Sequence, residues 1–508
     1  LLPRQLDGFT LRGSAFYSHE HQRLRVDSMA FQARKPYFRL QRLMTNLTMD
    51  RKVINIDTLS IHTAENLIGV TGRYFYDSPP AGNLRLHTGP LKLSEFASWI
   101  GEFTPSVQPT LALEASVQDD SLSAELTVND VQQEIRTSGW LTPLTSLVDD
   151  SLSATSKYAA RISLDSIVLD HWIPGSELNV ETNGHVLIQG TGRDIRTASI
   201  VTEAEFTRFQ IMDYGLGRII LDTEYSKGDL QTAFTMVGDY GVIEAGAEVV
   251  DLMNMPTYSA TLTVSDFDIA PLTLTDTLAS NINLSLTANG RSFDPDSLRG
   301  SCRAAVQASR VGDLSFDTLF TIFDYSVSAL NVDTLFVITE LGTIHAGGNY
   351  SFDNRTDMIF EASLGNLNDV ASLLQVDALA AEGSISGRVT GKPDSLKADL
   401  NVKLHDVTVD SISTDSLTLV GTFLYEDSLL SGSAQGRIIN LFTSGYVIPS
   451  IDVLGEIDTD RYVSETKFVL NEDISGSLTG EYLIDSIPVV MLPDSVSYTH
   501  LRAHETGR

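Results

Sequence analysis

The chain has 508 residues, a formal net charge of −31 and a sequence pI of about 4.5. Such an acidic surface repels phosphate backbones and anionic headgroups, which argues against nucleic-acid binding and against broad electrostatic adhesion to membranes. With 42% hydrophobic residues the chain is expected to be folded, and its length suffices for several domains. The single cysteine, Cys302, excludes an internal disulfide framework and CxxC motifs, so we interpret it as a small buried hydrophobe.

Both ends of the sequence have unusual features. No run of 18 or more apolar residues and no signal peptide is visible, and the chain begins Leu1-Leu2-Pro3 without a methionine. We therefore expect a native N-terminus, with any membrane anchor, to lie upstream. Val496 to Thr506 closely resembles the in-frame translation of a sequencing adapter, so residues 496–508 are left out of the prediction of fold and function.

The first part of the chain is predicted to be strand after strand. Apolar residues recur there every second position, and successive strand side chains point to opposite faces, so one face is dry and the other wet. The predicted strands are Phe9 to Tyr17, Leu24 to Ala33, Tyr37 to Met49, Val53 to Thr63 and Leu67 to Tyr76.

Short interruptions separate one series of strands from the next. In Leu93 to Phe103 the apolar residues follow helical spacing and Ser94 is suited to cap the start, so a short helix is predicted. We interpret these interruptions as seam segments that connect strand series or cover sheet edges. The others are Leu141 to Leu147, Leu169 to Ile173, Phe267 to Leu272 and Leu367 to Leu374.

A short phrase, Asp followed by Ser or Thr and then by Leu, Ile or Met, recurs along the chain. Short polar side chains bond their own backbone and favour turns, so we interpret the phrase as a turn at the start of a strand. A ladder of calcium ligands is the less favoured interpretation, because no window has the tight alternate spacing and turn glycine that a calcium loop needs. The phrase begins at Asp27, Asp57, Asp120, Asp150, Asp165, Asp276, Asp296, Asp317, Asp333, Asp394, Asp410, Asp415, Asp427 and Asp485.

The sequence also repeats with a period much longer than one strand. Gln189-Gly190, Asn289-Gly290 and Thr390-Gly391 are about 100 residues apart, and a polar turn and a new series of strands follow each of them. Self-similarity at a fixed period predicts stacked modules that bury a continuous surface only together. The predicted modules are residues 1–90, 91–175 (with short helices), 176–280, 281–380 and 381–495.

Motifs of catalysis and of cofactor or metal binding are missing. There is no P-loop and no Gly-x-Ser-x-Gly elbow, because Gly383-Ser-Ile-Ser-Gly387 and Gly476-Ser-Leu-Thr-Gly480 have Ile385 and Leu478 at the centre. His19-Glu20-His21 is the only local histidine cluster, and two ligands without a third are weak support for zinc. We expect no enzymatic activity, no cofactor and no metal.

The strand units, the turns, the period of about 100 residues and the seam segments together resemble the AsmA/TamB-like envelope proteins. Leu93-Ser-Glu-Phe-Ala-Ser-Trp-Ile and Leu429-Leu-Ser-Gly-Ser-Ala-Gln-Gly436 are examples of the segments that carry this resemblance. These proteins are similar to the wider repeating β-groove, bridge-like lipid-transfer proteins. The resemblance extends over Asp7 to Pro493 and rests on the general pattern of strands and turns, without an invariant signature. Neither an N-terminal membrane helix nor the family's C-terminal domain is visible.

The resemblance implies an all-β fold, an elongated antiparallel β-sheet curled into a groove (β-taco) and built from repeated multi-strand modules with short seam helices. It also implies a periplasmic protein of a double-membrane bacterium, anchored in the inner membrane through a missing N-terminal helix. Its implied role is to carry phospholipid acyl chains between the inner and outer membranes in support of outer-membrane biogenesis, with membrane-protein partners at the missing ends. The groove-lining candidates are Ile344, Tyr350, Phe352, Met358, Phe360, Leu364, Leu400, Val402, Leu404, Leu417, Leu419 and Phe423.

Other functions stay open at this point. A non-lipid scaffold or chaperone for outer-membrane protein assembly or secretion has the same texture, and a surface β-solenoid adhesin would show a shorter coil repeat with stacked Asn or Gly. A carbohydrate-active enzyme would place acids and aromatic residues in one cleft. Trp99, Trp140 and Trp172 are the only tryptophans, and for Trp99 and Trp172, which fall in seam segments, core packing is the simpler interpretation.

Overall fold

The structure is a computed structural model, and it describes residues 6–34, 37–76, 81–96, 106–147, 149–173, 179–273, 279–312, 314–365, 379–426, 429–443, 445–458, 461–471 and 474–483. The chain divides into two compact units. Unit 1 comprises Leu1–Pro256 with Pro271–Thr275, and unit 2 comprises Thr257–Ala270 with Asp276–Arg508. The predicted helix at Leu367 to Leu374 and the segment 496–508 lie outside the described residues.

Unit 1 is built from strands β1 to β15. They are β1 Leu6–Tyr17, β2 His21–Arg34, β3 Tyr37–Asp50, β4 Val53–Thr63, β5 Leu67–Phe75, β6 Ala81–Thr88, β7 Thr110–Gln118, β8 Ser121–Asp130, β9 Gln133–Thr142, β10 Lys157–Val168, β11 Val180–Thr191, β12 Ser199–Ile211, β13 Tyr214–Ser226, β14 Asp229–Gly238 and β15 Gly241–Val250. Within this unit, consecutive strands pair antiparallel from β1–β2 to β14–β15.

Unit 2 follows the same rule with strands β16 to β29. They are β16 Thr257–Phe267, β17 Ser280–Arg291, β18 Arg299–Val311, β19 Leu314–Ser326, β20 Ala329–Thr339, β21 Gly342–Ser351, β22 Thr356–Leu364, β23 Leu379–Lys392, β24 Ser395–Val409, β25 Ile412–Glu426, β26 Leu429–Thr443, β27 Tyr446–Asp458, β28 Arg461–Asn471 and β29 Ile474–Leu483. The prediction of an all-β, antiparallel fold is confirmed. A short turn between two strands can join them only as antiparallel neighbours, since parallel strands need a long crossover connection.

The described helices are short, and all but Asp150–Thr155 overlap seam segments that the sequence predicted. They are the 3₁₀ helices Leu93–Phe96, Leu144–Leu147 and Asp150–Thr155 and the α-helices Leu169–Trp172 and Ala270–Thr273. The helix predicted over Leu93 to Phe103 is a single 3₁₀ turn in its described part.

The helix Leu169–Trp172 is held against the end of β9 by one amide side chain. The carboxamide oxygen of the buried Gln133 accepts hydrogen bonds from the Trp172 indole N–H at 2.8 Å and from the Val168 backbone N–H at 2.9 Å. The Gln133 amide nitrogen lies 2.8 Å from His171 Nδ1. Buried amides need such partners, so Gln133 fixes this seam and explains the packing role expected for Trp172.

The interpretation of the Asp phrase as a turn at a strand start is wrong at many positions. Asp120, Asp296, Asp394 and Asp410 do lie in turns. A second group lies inside strands at or beside shifts in the pairing register: Asp27, Asp57, Asp165, Asp317 and Asp333.

The physical reason is that a β-bulge has the same backbone need as a turn. The extra residue of a bulge is unpaired, and residues at or next to such positions take φ > 0, as Ser166 (φ 53°) and Asp266 (φ 50°) do. Asp, Asn and Ser tolerate this conformation because their side chains bond nearby backbone and side-chain groups. At the bulge in β4, the Asp57 side chain accepts a hydrogen bond of 2.8 Å from Asn46 on the neighbouring strand β3. The phrase therefore marks bulges as well as turns.

The strand layout of β10 to β15 recurs in β16 to β21. The first six begin at residues 157, 180, 199, 214, 229 and 241, and the second six begin at residues 257, 280, 299, 314, 329 and 342. The described helices Leu169–Trp172 and Ala270–Thr273 follow the first strand of each series. The spacing of the strands thus matches the period of about 100 residues in the sequence.

Candidate functional site

The strands of unit 2 present one apolar face. Residues that stand directly opposite each other on neighbouring strands share a face of a sheet. Val402 stands opposite Leu419, which stands opposite Gly436, which stands opposite Val453. We call the surface that contains this row the apolar face of unit 2.

The same register carries the apolar face across the other strands of unit 2. Towards β16 the rows contain hydrophobic or small residues at nearly every position, as in Ile344, Ala362 and Ile385. The row that starts at Leu262 continues through Leu286 and Ala304. The period-2 alternation of each strand is thus kept in register from strand to strand, which makes one continuous surface within this unit.

The structure brings together the predicted groove residues. Eleven of them lie on the apolar face of unit 2: Ile344, Tyr350, Met358, Phe360, Leu364, Leu400, Val402, Leu404, Leu417, Leu419 and Phe423. Phe352 lies just beyond β21, and its ring packs edge-on against Tyr350 with centroids 5.4 Å apart.

The side chains of this face are half-buried. Phe360, Leu400, Leu419 and Phe423 are of intermediate exposure, and Ile344 is 45% exposed. Within the described part of the chain, the buried hydrophobic residues include Val264, Phe267 and Cys302, which lie on β16 and β18. Burial raises the pKa of the Cys302 thiol, in line with the small buried hydrophobe that the sequence predicted. Among the described residues of this unit, the apolar face is therefore not covered by a second layer.

An apolar depression of about 270 Å³ lies on this face over β25 to β28. Leu417, Leu419 and Phe423 line it, together with Ile438 and Ile457. The last two were not predicted. Their alternating strands were visible in the sequence, but the alternation does not tell which part of a uniform face is concave.

Unit 1 has an apolar face of the same kind. The row Ile56, Gly72, Leu84, Ala115 runs directly across β4 to β7. A second apolar depression, of about 410 Å³, lies there. Its lining includes Ile54, Ile56, Tyr74, Leu84, Val117 and Leu122, none of which was named as a site residue from the sequence.

The opposite, polar face carries the charges. In unit 2 the row Lys403, Thr418, Arg437, Asp452 runs across β24 to β27. Arg437 Nε donates to Asp452 Oδ1 at 2.6 Å. On β22 and β23 the Arg388 guanidinium makes two hydrogen bonds, of 2.7 and 2.6 Å, to Asp357.

These contacts hold the pKa of each carboxyl below its usual value. The side-chain hydrogen bond from the arginine is the largest cause, for Asp357 as for Asp452. Both ion pairs are exposed to solvent and link neighbouring strands. We interpret them as structural contacts between strands and not as catalytic groups.

A pair of tyrosines lies at the edge of the apolar face of unit 2. The Tyr258 and Tyr325 hydroxyl groups are 2.6 Å apart, and the Phe293 ring stacks on Tyr258 with centroids 5.2 Å apart. In the cross-strand row, Gly290 and Gly300 stand between the two tyrosines. A Cβ added at either glycine would lie 2.5 Å from a tyrosine hydroxyl oxygen. Burial is the largest cause that raises the pKa of Tyr325, and the hydrogen bond between Tyr325 and Tyr258 raises it further.

The described residues contain no group of three or more His, Cys, Asp or Glu side chains arranged to hold a metal ion. His21 lies at the start of β2, and Glu20 pairs with Arg51 at 2.9 Å. No helix in the described ranges is long and apolar enough to cross a membrane. Neither a family model nor a curated protein sequence matches this chain.

Proposed function

We propose that the apolar faces of the two units bind the acyl chains of lipids and that the protein carries phospholipids between two membranes. The observation that carries this proposal is the apolar face itself, which runs strand after strand in each unit and stays half-exposed. An apolar surface that continues over many strands and stays half-exposed indicates an interaction site for an apolar partner.

The energetics favour a lipid tail as that partner. Exposing an acyl chain of 16 carbons to water costs about 0.8 kcal/mol per methylene, or about 13 kcal/mol in total. An apolar surface removes most of this cost. Charged side chains are concentrated on the polar face, as at Lys403 and Asp452. The rows of the apolar face therefore offer a lipid headgroup no tight binding site.

Bulges support the further proposal that the strands of each unit curl lengthwise into a groove built from repeated modules. In unit 2 the pairing register shifts near Asp266, Asp317 and Asp333 on strands β16, β19 and β20. A bulge bends its strand and increases the local twist. We propose that these bulges bend the strands around the apolar face and that the shared layout of β10–β15 and β16–β21 reflects one repeated module.

The resemblance to AsmA/TamB-like envelope proteins adds a setting to this proposal. We propose a location in the periplasm of a double-membrane bacterium, with membrane proteins as partners at the two ends. A scaffold for outer-membrane protein assembly is the second candidate, since the apolar faces would suit nascent strands as well.

Site-specific photocrosslinking in cells tests the proposal. The crosslinking residue is placed at Phe360, Leu419 or Phe423 on the apolar face and, as matched controls, at Glu361 or Thr418, which neighbour these positions on the polar face. We expect phospholipid adducts from the first three variants and none from the controls.

Equal labelling of both faces, or no lipid adduct from folded protein at any position, would contradict lipid binding. Adducts to outer-membrane proteins in place of lipids would favour the scaffold. The matched pairs differ by one residue along the same strand, so a difference between them reports the face and not the location in the chain.

A further inference from the structure

The polar face of unit 1 has a depression of its own, which the lipid proposal does not use. It lies over β6 to β11 and has a volume of about 590 Å³, within the usual range of small-molecule sites. The row Asn83, Ser116, Ser123, Trp140, Ala159, Gln189 crosses it in direct register. Six adjacent strands make this row about 24 Å long.

Trp140 is the only large aromatic side chain in the depression. Its neighbours across the strands are Ser123 and Ala159, and its neighbours along β9 on the same face are Ser138 and Thr142. All four are small, so the indole is 46% exposed on a polar surface instead of packing into a core. An indole exposed within a depression can stack on the ring of a ligand.

Hydrogen-bonding groups surround this indole. Asn83 and Gln189 stand at the two ends of the row, and the hydroxyl groups of Ser116 and Ser123 lie 2.7 Å apart between Asn83 and the indole. Amide side chains offer both donors and acceptors, and hydroxyl groups do the same. The row therefore combines one apolar ring with neutral groups that can bond to hydroxyls.

The charges of the depression balance. Its ionisable side chains are two carboxylates, Glu114 and Glu125, and two guanidinium groups, Arg85 and Arg161. Arg85 Nε lies 3.3 Å from Glu114 Oε1, and Arg136, beside the depression, lies 4.0 Å from Glu125. A site without net charge in a protein of charge −31 does not attract an anionic ligand.

We propose that this depression binds a neutral oligosaccharide. A pyranose ring has one face of C–H groups, which stacks on an indole, and a rim of hydroxyl groups, which bond to amides, hydroxyls and paired charges. The length of the row accommodates several sugar rings in line, with one ring on Trp140 and its neighbours reaching Ser116 on one side and Gln189 on the other. This inference concerns the polar face and is independent of lipid binding on the apolar face.

Titration calorimetry with three neutral trisaccharides, cellotriose, maltotriose and the trimer of N-acetylglucosamine, tests it on the whole chain. We expect at least one to bind with a Kd of about 1 mM or tighter. Trp140→Ala should weaken binding about ten-fold or more, and Trp140→Phe, which keeps a smaller ring, should weaken it less. Gln189→Ala should weaken it a few-fold.

Val420→Ala is the control, because Val420 is an exposed apolar residue on the polar face of unit 2 and its replacement should leave binding unchanged. Circular dichroism of each variant establishes that it is folded. Absence of binding by all three trisaccharides at about 10 mM, or binding that Trp140→Ala leaves intact, would overturn the proposal. So would binding of a single-stranded DNA dodecamer through Trp140 in the absence of any saccharide binding.

Discussion

Two rows of side chains occupy the same place in the strand layouts of the two units. In unit 1 the row is Tyr158, Gly190, Ile200, Tyr225 on β10 to β13, and in unit 2 it is Tyr258, Gly290, Gly300, Tyr325 on β16 to β19. Both rows begin with a tyrosine ring lying over a glycine on the next strand. They differ at the third position, where the first has isoleucine and the second has glycine.

This difference changes how the row is filled. Where Ile200 stands, the Tyr225 hydroxyl donates to the backbone oxygen of Ile195. Where Gly300 stands, the space is filled by the rings, and the two hydroxyls of unit 2 are 2.6 Å apart. One position on a middle strand thus decides whether two aromatic residues, 67 residues apart, make contact.

The largest effect is expected from Gly300→Ile, which gives unit 2 the isoleucine of unit 1. A Cβ at this position would lie 2.3 Å from the backbone oxygen of Asn289 and 2.5 Å from the Tyr325 hydroxyl, so both the ring and the backbone must shift. We expect a loss of about 3 kcal/mol in the free energy of unfolding, measured by urea denaturation. A stability equal to that of the wild type would show that the row in unit 2 can adopt the packing of unit 1.

The reciprocal change, Ile200→Gly, should cost about 2 kcal/mol in the same measurement, because it removes a half-buried side chain and adds backbone freedom in a strand. Adding Gly300→Ile in the same chain should give an additive loss, since the two rows lie in different units. A clearly smaller combined loss would contradict independent rows.

Tyr258→Phe removes the hydroxyl–hydroxyl hydrogen bond and leaves the ring on Gly290. The expected loss of unfolding free energy is about 1 kcal/mol, the usual net value of one such bond. Tyr158→Phe is the matched control in unit 1. Within the described residues the Tyr158 hydroxyl makes no hydrogen bond, so this variant should be nearly neutral; equal losses from both variants would exclude a special role for the tyrosine pair.

The smallest expected effect is a dependence on pH. The pKa of Tyr325 is raised in the folded protein, so the folded state holds this proton more tightly than the unfolded state, whose tyrosine pKa is about 10. The corresponding stability is complete below about pH 10 and is lost as the pH rises above it. The difference in urea midpoint between the wild type and Tyr325→Phe should therefore be constant from about pH 7 to 9 and shrink above about pH 10; a constant difference throughout would contradict this linkage.

Much of the fold was predictable from local patterns. Strand β4 has the bounds that the sequence predicted, Val53 to Thr63, because apolar and polar residues alternate on both sides of the bulge at Asp57. Eleven of the twelve candidate groove residues lie on one face for the same reason. The Asp phrase was harder, since a turn and a bulge select the same small polar residues and differ only in whether a paired strand continues beyond them.

The depressions were not predictable in this way. Ile438 and Ile457 have the same sequence surroundings as other strand residues, and only their neighbours on adjacent strands make that part of the face concave. Trp140 alternates correctly with its strand, but its exposure depends on Ser123 and Ala159, which come from two other strands. No pattern within β9 contains that information.

The all-β, antiparallel class, the location of most strands and the apolar face of each strand were predictable from the amino-acid order, because they follow from side-chain alternation over about ten neighbouring residues. The residues that meet across strands became visible only in the folded protein: the tyrosines over Gly290 and Gly300, the bulges at Asp317 and Asp333, and the open surroundings of Trp140. These depend on the pairing register, which is fixed when a whole face is packed at once, and a shift of one residue would exchange the two faces.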